Sequence, residues 1–190
     1  MFRYGKFAVV GAVMVCLGFV AIAHADDDMI DNPAYQSWAK YKAGTWVEYQ
    51  TDSEAMGSKN SIITTQTLKS ITADKATIEI KSSMMVSGNK MDMPPQIQEI
   101  TAKIKRPPAP PAASGDAPKT DQGTEDIKAD DKTYSCKWTE TTTEQNGMKT
   151  TAKTWTCDDV PGSVVKIESN TTGSMTAKTS MALVKCVIQQ

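Results

Sequence analysis

Between Cys136 and Cys157 the chain prescribes its own pairing. Asn146-Gly147 sits midway, and Asn-Gly is the strongest short-range signal for a two-residue type I′ hairpin turn. Setting Gln145 opposite Met148 brings Glu144 opposite Lys149, Glu140 opposite Lys153, Trp138 opposite Trp155 and Cys136 opposite Cys157. Two ion pairs, an aromatic pair and a cysteine pair follow from one assumption. Hydrogen-bonded and non-hydrogen-bonded pairs alternate from the turn, which puts both the tryptophan and the cysteine pairs at non-hydrogen-bonded sites. Cα atoms there approach to about 4.5 Å, a spacing that accepts a disulfide. A Cys136–Cys157 bond would close a loop worth about 3 kcal/mol in the chain-entropy account. Pairing of either cysteine with Cys186 is the competing arrangement. A redox role is disfavoured, because there is no C-x-x-C and no neighbouring histidine to lower a thiol pKa.

A disulfide needs an oxidising compartment, and residues 1–25 read as a secretory signal. Arg3 and Lys6 precede the apolar run Phe7–Ala23, and Ala23-His24-Ala25 forms an A-x-A cleavage site. A periplasmic or secreted protein with no membrane span after cleavage is the expectation. Cleavage removes the only histidine, all three phenylalanines and one of the two arginines. It takes two of the 21 basic residues and none of the 22 acidic ones, for a net charge of −3. Without histidine, His-based acid–base chemistry and His-ligated metal sites are excluded. With Arg106 alone there is no phosphate clamp and no nucleic-acid stripe. No cofactor is expected, and an enzyme is not expected.

In the segment 26–44, Asp31 or Asn32 followed by Pro33 marks the start of a short helix that ends near Gly44. Tyr35, Trp38 and Ala39 form its apolar stripe. Thereafter Thr, Val, Ile and aromatic residues alternate between turn signals, predicting about eight antiparallel strands as two sets of four. The halves, 45–104 and 132–190, suggest an internal duplication at an offset of 87. Val47 then matches Tyr134, Tyr49 matches Cys136, Leu68 matches Trp155 and Ile78 matches Val165. Between them, the Pro-rich stretch 105–131 reads as a disordered linker. The fold class is mainly β: an open or half-barrel antiparallel sheet with one short N-terminal helix.

Gly88-Asn89 offers a second two-residue turn, pairing Val86 with Met91, Met84 with Met93 and Ile80 with Ile97. Met84, Val86, Met91 and Met93 would then share an apolar face. Thioether-rich surfaces adapt to varied partners, and soft thioethers also hold Cu(I). Together with Trp138 and Trp155 they are the candidate ligand-binding residues. A core edge with no ligand is the plain alternative.

The run Lys153-Thr154-Trp155, followed by Val160-Pro161-Gly162-Ser163-Val164-Val165-Lys166, resembles a motif in exported bacterial proteins of uncharacterised function. The overall plan resembles the open half-barrels of periplasmic lipoprotein or lipid carriers of the LolA type. That resemblance implies a curved sheet cupping an apolar ligand, and it transfers no residues. The expected function is an exported binding or envelope-accessory protein holding an apolar small molecule, a lipid or a segment of an envelope partner. A structural envelope protein with a filled core and a Met-based Cu(I) binder are the alternatives.

Overall fold

The computed structural model describes residues 29–86, 89–107, 118–145 and 147–189. The signal segment 1–25 and Asn146 lie outside the described residues. In chain order the elements are β1 (Met29–Asp31), α1 (Pro33–Ala39), β2 (Trp46–Ala55), β3 (Ser58–Ile71), β4 (Lys75–Val86), β5 (Asn89–Asp92), β6 (Gln96–Thr101), β7 (Lys103–Lys105), β8 (Lys119–Ala129), β9 (Lys132–Gln145), β10 (Met148–Thr156), β11 (Val164–Thr172) and β12 (Ala177–Val187). β1 and β7 pair with each other. The other ten strands form one antiparallel sheet ordered β5-β4-β3-β2-β12-β11-β10-β9-β8, with β6 also on β4. The sheet is open and does not close into a barrel.

The β9–β10 hairpin has the register that its turn demands. Gln145 faces Met148, and the pairing runs through Glu144–Lys149, Glu140–Lys153 and Trp138–Trp155 to Lys137–Thr156. Gly147 holds φ +73°, the left-handed value a type I′ turn requires.

Each four-strand meander occupies half of the sheet in the same sense, the first as β5/β6-β4-β3-β2 and the second as β12-β11-β10-β9. The bulges fall differently in the two halves: the extra residue is Lys69 on β3 in the first and Val165 on β11 in the second. At the offset of 87, Val47 and Tyr134, Tyr49 and Cys136, Leu68 and Trp155, and Ile78 and Val165 are buried, whereas Ser70, set against Cys157 by the same offset, is exposed.

Three expectations are corrected. Lys119–Ala129, read as part of a linker, is the edge strand β8, joined to β9 by a tight turn in which Asp130 and Asp131 have φ of 48° and 56°. The strand expected over 91–104 is broken into β5, β6 and β7, with Pro94 and Pro95 in the first gap. Proline has no amide hydrogen to give a ladder. The β4–β5 hairpin also closes elsewhere: Val86 pairs with Asn89, Met84 with Met91, and Ile80 with Gln96 on β6. Asn89 enters the ladder instead of serving as a turn residue.

The helix stops at Ala39, short of Gly44. Asn32 caps it, its side-chain oxygen accepting from the Ala34 amide at 3.0 Å while its amide nitrogen donates to the Thr101 carbonyl at 2.8 Å. Tyr35 and Trp38 are its buried residues. They join Val47, Tyr49, Leu68, Ile78, Tyr134, Val160, Val165 and Leu183 in one core that fills the end of the sheet beside the helix. The Tyr35 hydroxyl donates to the Thr72 carbonyl at 2.6 Å. Burial of this core supplies most of the stability, at about 25 cal/mol per Å² of apolar surface removed from water.

Candidate ligand groove

Toward the hairpin tips the sheet is hollow. A single lateral row of opposed residues runs Met85–Ser61–Asp52–Ser180–Glu168–Lys153–Glu140, each directly paired with the next across neighbouring strands. All seven line one groove of about 730 Å³. Residues from β4 at one side and β9 at the other can border the same space only if the sheet curves around it. The next row toward the tips, Lys59–Glu54–Lys178–Asn170–Thr151, lines the same groove. Within the size range of ligand sites, this groove is lined by side chains that bear hydroxyl, amide and charged groups, with their aliphatic stems making up most of its surface.

One row nearer the core, on the face of Lys153 and Glu140, stand Trp155 and Trp138. Trp155 is 3% exposed and Trp138 is half-buried. The Lys153 ammonium sits 4.1 Å from the Trp138 ring centre and 4.6 Å from that of Trp155, and Lys166 covers Trp155 from 4.9 Å. Glu125, on β8, accepts the Trp155 indole N–H at 2.9 Å and lies 3.6 Å from the Lys153 ammonium. The Trp155 hydrogen bond, with help from Lys153, holds the Glu125 carboxyl below its ordinary pKa. Ammonium groups stacked on indoles are attracted by the ring quadrupole, so the tryptophans hold Lys153 in place where it lines the groove.

The sequence-derived candidates divide between the two faces of the sheet. Trp138 and Trp155 belong to the groove face. Met84 and Met91 oppose each other, and Met93, whose amide donates to the Ser82 carbonyl, follows on the same side. Successive residues of a strand point to opposite faces, so this trio lies on the face away from Met85. Met85 is the methionine in the groove wall, and Val86 pairs with Asn89 at the hairpin's end. Local sequence gave no sign of Ser61, Asp52, Ser180 or Glu168, because their alignment depends on strand pairings between distant segments.

Cys136, Cys157 and Cys186 are buried thiols, and the expected Cys136–Cys157 bond is not formed in the structure. The ladder stops one pair short of it, since Cys157 gives its amide hydrogen to the Ser163 carbonyl at 2.7 Å. Burial, followed by the neighbouring Cys157, pushes the Cys136 thiol up to about 11. Burial also raises Cys186, which hydrogen-bonds Tyr134. At neutral pH the Cys136 and Cys186 thiols are protonated. No group of three or more His, Cys, Asp or Glu side chains among the described residues is arranged to hold a metal ion. No helix among them is long and apolar enough to cross a membrane.

No family model matches the chain, and no curated protein matches it. Among solved structures, an S-type phycobiliprotein lyase from Guillardia theta is similar over 75% of this chain and 87% of its own, with 6% identity and a TM-score of 0.32.

Proposed function

We propose that this is an exported, non-enzymatic binding protein whose ligand lies in the groove between β4 and β9. The observation that carries the reading is the contrast between the two ends of one sheet. At the helix end the core is filled by apolar side chains, whereas at the tip end a complete row of paired residues encloses open space. A concave groove with polar side chains carried on paired strands supports a binding role. The signal segment supports delivery to the periplasm or the exterior. The wall is more polar than the purely apolar face expected from the methionines, which favours a ligand carrying charge.

Native mass spectrometry of the protein purified from its own envelope or medium, with extraction of bound small molecules, tests this. The expected result is a co-purifying molecule whose removal raises amide exchange at Ser61, Asp52, Ser180 and Glu168. Recovery from the cytoplasm, or an empty protein showing no groove protection with any envelope extract, would overturn it.

A further inference from the structure

The groove is graded along the strand axis. Its inner row has Asp52 and Glu140, and among the described residues neither carboxylate has an ion-pair partner: Asp52 accepts from the Gln50 amide, while Lys153, opposite Glu140, turns to Glu125. Glu168, between them, is paired with Lys166 at 2.7 Å. One step toward the tips the sign reverses. Lys59 and Lys178 flank Glu54 in consecutive pairings, Glu54 is matched by Lys59 at 3.7 Å, and Lys178 has no ion-pair partner among the described residues.

Beyond the lysines come two methionines on adjacent hairpin tips. Met56 is 82% exposed and Met175 is 53% exposed. They share a second hollow of about 480 Å³ whose wall includes Glu54 and Lys178, two residues that also line the groove. Met56 holds φ +50°, a turn position that Asn, Asp or Gly fills without strain. An exposed thioether kept there against local preference marks a contact surface.

We infer that the groove receives a zwitterionic amphiphile of fixed charge order: a cationic end in the inner row that holds Asp52 and Glu140, an anionic group at Lys178, and an alkyl chain over Met56 and Met175. Opposite charges in a cleft with low-dielectric walls select a ligand by complementarity. Unbranched thioethers adapt to a flexible chain better than shaped aliphatic side chains do. This assignment rests on the groove being the binding site and adds the chemistry of its occupant.

Two detergent-like probes below their micellar concentration separate the possibilities. Dodecylphosphocholine carries chain, then phosphate, then ammonium; dodecyl sulfobetaine carries chain, then ammonium, then sulfonate. Both are net neutral with the same tail, and titration calorimetry reads their affinities. The phosphocholine order is expected to bind about tenfold or more tightly. Lys178→Glu should erase that preference, and Asp52→Asn with Glu140→Gln should weaken the phosphocholine probe. Met56→Ser with Met175→Ser should reduce the gain per methylene from about two- to fourfold to near none. Circular dichroism confirms that each variant folds. Equal affinity for the two probes, or binding indifferent to Lys178 and to the acid pair, overturns the inference. Binding of neither probe, while another envelope molecule protects the groove, overturns the ligand class and leaves the groove reading standing. Absence of any groove ligand removes both.

Discussion

Gly123 stands opposite Trp138 with no room for a methyl group between them: a Cβ on Gly123 would lie 2.7 Å from Cζ2 of the indole. The indole therefore lies against bare backbone of the edge strand. Gly123→Ala is expected to destabilise the protein by about 1–3 kcal/mol, the usual cost of overpacking. Urea denaturation monitored by tryptophan fluorescence measures this, and an unchanged midpoint would contradict the close contact.

Glu125 is the partner that Trp155 needs. Its carboxyl is held below the ordinary value, first by the indole hydrogen bond. A folded-state pKa below the unfolded one contributes stability above the unfolded pKa and loses it as pH falls through the folded value. Acid denaturation of the wild type should accordingly steepen below the ordinary glutamate range. In Glu125→Gln that contribution is absent, so its stability should vary less with pH across the same interval. Matching pH profiles would show that the pair has no energetic role.

Asn32 does two jobs, capping α1 and tying it to Thr101. Asn32→Ala should cost about 1–2 kcal/mol. Asn32→Asp retains the cap and loses the donor, and should fall between wild type and alanine in denaturation midpoint. Equal loss in both variants would place the effect in the Thr101 tie alone.

The cysteines are expected to depend on folding history. Once folded, the protonated Cys136 thiol, pushed to about 11 by burial, should resist alkylation at pH 8 until denaturant is added. Refolding with oxidised glutathione should instead give the Cys136–Cys157 disulfide by two exchange steps, releasing two reduced glutathiones and leaving Cys186 free. Peptide mapping reads the outcome, and a Cys186 linkage would reject this pairing.

What the sequence made legible was local. Glu140–Lys153 and Trp138–Trp155 could be paired on paper because one turn dipeptide fixed every partner within the hairpin. The same reasoning missed β4–β5 because neighbouring dipeptides competed for the turn, and a small register change moves Met84 from Met93 to Met91. β8 was hidden because an edge strand is wet on both faces; Lys119–Ala129 shows little of the alternation that betrays a half-buried strand. The groove row was out of reach for a different reason. Asp52, Ser180 and Glu168 become neighbours only through the β2–β12 and β11–β12 pairings, and these join chain segments far apart in sequence.

The seam between β2 and β12 has a consequence for how the molecule comes into being. The last of the described strands in chain order occupies the middle of the sheet, between β2 and β11. Until it arrives, each half presents an unpaired border, and such borders invite pairing with other chains. Closing contacts of this span makes folding slow. β12 thus acts as a keystone, and without it the two arcs of the sheet have no strand to join them.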